Sequence, residues 1–201
     1  MSDKAVPEML DVVFDLKGTQ VPAGYAFSLW HEIVRCLPWL GEVKEAGIVP
    51  LRGSASGEDI LLSQRTKLVL RLPATHAKKA LELSGKQLNV DGCVLEVGAA
   101  KEKKLLPATT LHAFIVESSL GEVEFLADMT EKLQEMKIPC KLICSKQLSV
   151  KSPKQMLAGY GLVLHDLKPA ASIQIQSMGL GGARRFGCGM FVHYKAITGL
   201  D

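Results

Sequence analysis

The pattern of hydrophobic and polar positions predicts two strands and a helix near the start of the chain. The segment 11–16 (DVVFDL) predicts a strand, and the segment 66–72 (TKLVLRL) alternates as a half-buried strand does. Between them, apolar residues recur every three or four positions and predict a helix over 23–37. The apolar stripe of that helix consists of Phe27, Trp30, Val34 and Leu37.

The following residues complete a β-α-β-α-β series. A second helix is predicted over 73–84, with proline at its start and glycine just after its end. A strand pair over 87–97 turns at Asp91-Gly92, and there is room for one further strand within 47–62. The segment 101–107 is charged and ends in proline, so we predict that it is a connector.

The same order of elements recurs after the connector. A strand at 110–117 precedes an amphipathic helix at 122–136, and a short helix at 169–178 precedes a last strand at 190–195. The first of these helices is predicted to bury Val123, Leu126, Met129 and Leu133, and the second Ala171, Ile175 and Met178. The intervening β segments are 140–145, its hairpin partner 147–151, and 157–167.

Two successive βαββαβ orders predict an α+β protein with two tandem ferredoxin-like folds and a C-terminal glycine-rich loop. The expected units are residues 1–100 and 108–201, a size consistent with 201 residues and 47% hydrophobic composition. No apolar run is long enough for a spanning helix, and the first residues do not have the pattern of a secretory signal. With five cysteines, an odd number, this pattern indicates a cytoplasmic protein with reduced thiols.

The net charge of +3 is unevenly distributed. Residues 1–135 hold 15 Lys and Arg against 19 Asp and Glu, whereas residues 136–200 hold nine Lys and Arg and a single acid, Asp166. A basic C-terminal third on a mildly acidic remainder favours a polyanionic partner.

The segment 179–189 (GLGGARRFGCG) is the most distinctive local feature. Glycines allow positive φ and expose backbone N–H groups as an anion-binding nest, and arginine adds bidentate phosphate contacts. The loop follows a helix and precedes a strand, the reverse of a dinucleotide-binding fingerprint, and G-x-x-x-x-G-K-[ST] is absent. The predicted phosphate contacts are Gly179, Gly181, Gly182, Arg184, Arg185, Gly187 and Gly189.

The stretch GLGGARRFGCGMFV at 179–192 resembles the terminal signature of the CRISPR repeat-processing endoribonucleases. Three further stretches are similar to the myxan-type subgroup of that family. They are DVVF at 11–14 followed by Gly18, GYA at 24–26 leading to LPWL at 37–40, and RTKLVLRLP at 65–73.

The resemblance implies binding of a CRISPR repeat RNA, often a stem-loop, and one cut per repeat. It implies metal-independent cleavage without a cofactor, in which the ribose 2′-OH attacks the adjacent phosphate and leaves a 2′,3′-cyclic phosphate. It further implies no membrane and no direct DNA partner. Other subunits of a CRISPR interference complex are implied as partners, because the product RNA often stays bound in this family.

Many members of the family place a catalytic histidine on the first helix, which makes His31 the leading general base or acid. Ser28 and Arg35 lie three residues before it and four after it, on the same side of the helix. Tyr25 supplies a hydroxyl that would serve as acid or orienting group.

The lysines of the basic third are expected to meet phosphate, and His193 is expected to be a further RNA contact. The series is Lys137, Lys141, Lys146, Lys151 and Lys154, of which the last three are the stronger candidates. We predict no aromatic stacking platform for single-stranded RNA. We predict no metal site either, because Cys140 and Cys144 lack a second pair at zinc spacing.

Two other functions remain open from the sequence. One is a non-catalytic repeat-RNA-binding subunit of a CRISPR interference complex on the same fold. The other is an unrelated α+β enzyme that uses the glycine-rich loop to bind a phosphorylated small molecule.

Overall fold

The computed structural model describes residues 7–152 and 156–194. In the first half the elements are β1 (Met9–Lys17), β2 (Gln20–Pro22), α1 (Ala26–Cys36), β3 (Gly47–Val49), β4 (Gly53–Ser56), β5 (Asp59–Leu62), β6 (Lys67–Pro73), α2 (Ala77–Ala80), β7 (Gln87–Val90) and β8 (Cys93–Lys104). The second half contains β9 (Leu111–Glu117), α3 (Glu122–Glu135), β10 (Lys141–Lys151), β11 (Met156–His165), α4 (Pro169–Met178) and β12 (Val192–His193).

The strands form antiparallel sheets with a mixed α/β architecture. The first sheet has the order β3-β6-β1-β8-β7, the second has the order β10-β11-β9-β12, and a small third sheet has the order β2-β5-β4. The region 47–62, predicted to hold one further strand, therefore holds three, since β3 joins the first sheet while β4 and β5 pair with each other. The predicted helix over 73–84 is α2 with a 3-10 turn at each end.

The core of the first half lies between one face of its sheet and helices α1 and α2. Strand β6 lies where alternation predicted it. The core faces of β1 and β6 are apolar, and their open faces combine charged residues with Val13 and Val69. Helix α1 is rotated from its predicted stripe, because Leu29 and Ile33 are fully buried whereas Val34 is half-buried. This rotation turns the side of the helix with the broadest apolar surface toward the sheet.

Two predictions from charged or polar segments are wrong. Residues 101–104 are not a connector, because β8 continues through them and pairs Lys103 with Asp11 on β1. The segments 140–145 and 147–151 are not hairpin partners, because β10 is one strand that pairs with β11 along its length. A bulge between Cys144 and Gln147 interrupts the register, and the Ser145 hydroxyl accepts a hydrogen bond there from the Gly161 amide at 3.0 Å.

Helix α3 buries a different apolar residue from the one predicted. Phe125 is fully buried and Val123 is 78% exposed, since turning the larger phenyl ring inward removes more apolar area from water.

Helix α4 has the predicted bounds but buries polar residues that the apolar pattern does not indicate. The Ser172 hydroxyl accepts a hydrogen bond from the Ala108 amide at 2.9 Å, and the Gln176 amide donates to the Leu106 carbonyl at 2.8 Å. These bonds fasten the connector after β8 onto α4, while Met178 stays 45% exposed.

Arg71 on β6 joins the two halves. Its side chain is 2% exposed and forms a bidentate pair with Asp11, its cross-strand partner on β1, at 2.7 and 3.0 Å. The same guanidinium donates to the carbonyls of Gln176 and Phe191 in the second half, at 3.2 and 2.6 Å. A buried charge with four hydrogen bonds holds the two halves in one arrangement, because moving any of its partners away leaves the buried charge without that partner.

We expect Arg71→Ala to lower the free energy of unfolding by about 3–5 kcal/mol, because it leaves Asp11 and two buried carbonyls without their donor. Lys67→Ala is the matched control, since Lys67 pairs with Asp15 across the same two strands but in solvent. Urea unfolding should show a large loss for the first variant and a far smaller one for the second. Equal losses would contradict the interface role of Arg71.

Candidate functional site

Helix α1 is held by its polar side against β7, the edge strand of the first sheet. The Ser28 hydroxyl donates to Asp91 at 2.7 Å, and the backbone amide of Asn89 donates to Glu32 at 2.9 Å. Arg35 donates to the carbonyl of Gln87 at 3.3 Å. Residues 28, 32 and 35 thus meet residues 91, 89 and 87, so that one helix face satisfies the unpaired groups of the strand edge.

His31 lies on the same side of α1 and is exposed. It makes no hydrogen bond within the described part of the chain, so its ring nitrogens are open to a substrate. Glu32 lies beside it. The pKa of the Glu32 carboxyl is lowered chiefly by the hydrogen bond from Arg35, and the positive charge of His31 contributes in the same direction.

Tyr25 does not join His31. Its side chain is 6% exposed, and its hydroxyl accepts a hydrogen bond from the Leu51 amide at 2.7 Å. Burial raises the pKa of Tyr25 to about 12, and with so little of the side chain exposed the hydroxyl has no access to a substrate. The structure therefore corrects the predicted acid role: Tyr25 positions the segment that leads from β3 to Arg52.

The glycine-rich loop covers β3 and the start of α1. The Phe186 ring lies 4.9 Å from that of Phe27 on α1, and a side chain at Gly47 on β3 would strike the carbonyl of Arg184. Phe27 is one turn from His31, so the sequence-predicted loop and the sequence-predicted helix do meet.

Glycines at the neck of the loop serve packing. A Cβ at Gly179 would lie 2.6 Å from the carbonyl of Gly189, and both residues have positive φ. The Gly189 amide donates to Ile115 on β9 at 2.8 Å, and Gly187 and Gly189 are buried. Gly187 and Gly189 were predicted to contact phosphate, but because they are buried they serve packing within the protein instead. Gly181 and Gly182 are exposed.

The two loop arginines point in different directions. Arg185 is exposed, whereas Arg184 is half-buried and donates to the Gln176 carbonyl at 3.4 Å. Burial and the nearby charge of Arg71 lower the pKa of Arg184 to about 10. At the exposed end of the loop, a carboxylate oxygen of Glu117 would be 2.7 Å from a Cβ at Gly182, an acidic neighbour that the sequence did not indicate.

The end of β10 also reaches α1. A side chain at Gly24, just before the helix, would strike the carbonyl of Lys151. Lys146 and Lys151 are exposed, and Lys154 lies outside the described residues. The imidazole Nε2 of His193 is 2.8 Å from the carbonyl of Leu106, so the last strand is tied to the connector after β8.

A basic groove between the open faces of the two large sheets was missed by the sequence analysis. It has a volume of about 400 Å³, and Arg71 and Asp11 lie in its wall. Its further cationic lining, all from the first half, consists of Arg52, Arg65, Lys67, Lys103 and Lys104. Lys67 and Arg71, which share one face of the strand predicted over 66–72, were the available signal, together with Arg65 just before that strand.

Among the described residues, no group of three or more His, Cys, Asp or Glu side chains is placed to hold a metal ion. Nor does any helix within these ranges have the length and apolar character needed to cross a membrane.

A family model described as Cas6 Crispr matches residues 10–196 of the chain. The chain is also 29% identical over 185 residues to the CRISPR-associated endonuclease Cas6 of Myxococcus xanthus (strain DK1622). That alignment covers 91% of this chain and 80% of the relative.

Solved structures show the same fold at low sequence identity. A CRISPR associated protein Cas6 matches with a TM-score of 0.63 at 12% identity, over 94% of this chain and 100% of that one. The product of a Cas6-related gene from Pyrococcus furiosus matches with 0.61 at 12% identity, over 92% and 98%. Thermus thermophilus Cse3, bound to an RNA representing a pre-cleavage complex, matches with 0.53 at 14% identity, over 92% and 98%.

We expect Tyr25→Phe to lower the free energy of unfolding by about 1–3 kcal/mol, because the buried Leu51 amide loses its acceptor. Tyr194→Phe is the control, since Tyr194 is 45% exposed. Thermal or urea unfolding of the three proteins measures the difference. If Tyr25→Phe were as stable as the control variant, Tyr25 would not hold the segment that leads to Arg52.

Proposed function

The chain belongs to the Cas6 CRISPR family, and from this premise we propose that it binds CRISPR repeat RNA and cuts precursor transcripts into guide RNAs. The match over residues 10–196 carries the proposal, and the relative from Myxococcus xanthus bears the name of an endonuclease. The RNA-bound Cse3 of the same fold supports an RNA substrate.

Cleavage is proposed to proceed by attack of the ribose 2′-OH on the adjacent phosphate. A base must take the 2′-OH proton and an acid must protonate the departing 5′-oxygen, leaving a cyclic phosphate and a 5′-OH. His31 is the proposed proton-transfer group, because it is exposed and free of other hydrogen bonds among the described residues. Its position one helical turn from Phe27, whose ring contacts Phe186 of the glycine-rich loop, supports this assignment.

Neighbouring side chains would supply charge to the reacting phosphate. Arg35 is 55% exposed and is oriented by Glu32 at 2.9 Å, so its remaining N–H groups can stabilise the negative charge that develops on the phosphorane. Ser28 is committed to Asp91 and is proposed to position the helix.

RNA binding is proposed to use surfaces on both halves. The basic groove, with cations on strands β6 and β8, would follow a phosphate backbone. Lys146 and Lys151 on β10 and Arg185 in the loop add exposed cations on the side of α1. An RNA that contacts both the groove and these exposed cations would lie across the junction between the halves.

The proposed units, residues 1–100 and 108–201, are two ferredoxin-like folds. In each half, the four strands of the βαββαβ order are numbered 1 to 4 along the chain. They are β1, β3, β6 and β8 in the first half and β9, β10, β11 and β12 in the second. With this numbering, both large sheets have the strand order 2-3-1-4. In the first half β7 adds a further edge strand.

A non-catalytic RNA-binding subunit is the second candidate. One observation favours it: the Tyr25 hydroxyl is buried, so among the predicted catalytic groups no second proton donor accompanies His31. It would bind the same RNA without producing fragments.

We expect full cleavage of a CRISPR repeat RNA from the same genome in excess EDTA. His31→Ala should slow cleavage by about 10²–10⁴-fold while leaving RNA affinity unchanged, because it removes proton transfer alone. His165→Ala is the control, since that imidazole is paired with Thr110. Single-turnover cleavage with gel-resolved products measures both.

A 2′-deoxy nucleotide before the cut should abolish cleavage and spare binding. Loss of activity on chelation, or normal cleavage by His31→Ala, would overturn the mechanism. Tight binding with no product in any condition would establish the second candidate instead.

The basic groove predicts a particular salt dependence. Lys103→Gln should lower the slope of log affinity against log salt concentration by about one, because one phosphate contact is lost. Lys132→Gln makes the same charge change at a lysine of α3 that is paired with Asp128 and lies outside the proposed RNA-binding surfaces, so it should leave the slope unchanged. Filter binding at several salt concentrations measures both slopes, and equal slopes would exclude the groove as a phosphate site.

A further inference from the structure

We propose that an aromatic pocket on the open face of the second sheet binds one unpaired base of the RNA. The pocket has a volume of about 300 Å³ and is lined by His112, Phe114, Tyr194 and Arg52, among others. The proposal rests on RNA being the substrate and adds a site for single-stranded RNA beside the basic groove.

Strand β9 places two rings on the open face. Leu111 and Ala113 turn into the core, so His112 and Phe114 turn away from it. Phe114 is 54% exposed although β9 is an inner strand of its sheet. A large ring exposed in the middle of a sheet loses the burial that normally places it in the core, which marks a binding surface.

The neighbouring strand leaves the ring uncovered. Gly161 on β11 lies beside Phe114, and a Cβ there would be 3.1 Å from the Phe114 carbonyl and 3.0 Å from the Ser145 hydroxyl. Gly161 therefore contributes no side chain that could cover Phe114, whose exposed fraction is 54%. A planar base can then lie against it.

The other wall of the pocket consists of two aromatic rings that are held in place. The Tyr194 ring contacts His112 edge to face, with 5.6 Å between the centroids. The Nδ1 of His112 is buried and has no hydrogen-bond partner among the described residues. Burial, and after it the charge of Arg52, lowers the pKa of His112, and a backbone hydrogen bond with Val192 holds the imidazole in the pocket wall.

Charge complementarity identifies the occupant as a nucleotide. Arg52 is exposed at the rim, and its carbonyl accepts a hydrogen bond from the buried Thr66 hydroxyl at 2.8 Å, which fixes its backbone. The pocket and the basic groove share part of their lining, so a backbone in the groove would direct a base into the pocket. The shared residues are Val49, Pro50, Arg52, Val192 and His193.

The expectation that the chain lacks a stacking platform rested on the absence of a local aromatic motif. The rings of this pocket come from β9 and from the residue after β12, which are adjacent only in the folded sheet. Stacking of one base on such rings is tolerant of sequence.

The test uses the full chain and a single-stranded oligoadenylate RNA that carries one 2-aminopurine. The wild type should quench the probe fluorescence by stacking, and Phe114→Leu should remove the quench and weaken binding about tenfold. Phe114→Tyr keeps the ring and should retain both properties. Ile143→Ala, a change at a 57% exposed aliphatic residue on the next strand but one, is the control and should behave as wild type.

Cleavage of the repeat RNA is measured on the same samples. If the wild type cuts the repeat but does not quench the probe, or if Phe114→Leu quenches normally, the pocket proposal is overturned and the proposed function stands. If no RNA is bound or cut at all, both fall. Loss of quenching in Phe114→Leu alone, with repeat cleavage retained, supports the pocket.

Discussion

The arrangement of the two halves depends on one buried guanidinium. Arg71 is charged and almost fully enclosed, so it is stable only where Asp11 and two carbonyls of the second half surround it. Arg184 shares the Gln176 carbonyl with Arg71, and the repulsion between the two arginines contributes to the lowered pKa of Arg184. The glycine-rich loop and the floor of the groove are thus coupled through the same few polar atoms.

A second constraint positions the proposed catalytic helix. Its apolar side is fixed by the sheet, and its polar side is fixed by the edge of β7 through residues 28, 32 and 35. Ser28 and Arg35, which were predicted to assist His31 in catalysis, thus also hold the helix against the strand edge. His31 lies between them in sequence without such a partner, which is what a proton-transfer group requires.

Much of the fold was predictable, because the spacing of hydrophobic residues indicates which face of a single helix or strand is buried. Helix α4 has its predicted bounds, and β1, β6, β9 and β11 lie close to their predicted positions. The continuation of β8 was not predictable. The segment around Lys103 is charged, as loops often are, but it forms a strand on which Lys103 faces the groove. The meeting of α1 with the loop rests on Phe27 and Phe186, far apart in sequence, and periodicity within one element carries no information about such a contact.

The distribution of charge shows why a linear count misplaces a surface. The C-terminal third carries most of the net positive charge, yet the cations that line the groove lie at Arg52, Arg65, Lys67, Lys103 and Lys104, within the acidic half. Acids and bases in a strand can alternate between faces, so a half with net negative charge still presents a positive face. The second half contributes the loop, the exposed lysines of β10 and the aromatic face. A substrate that needs both cations and rings must therefore bridge the halves, and its affinity depends on the geometry that Arg71 maintains.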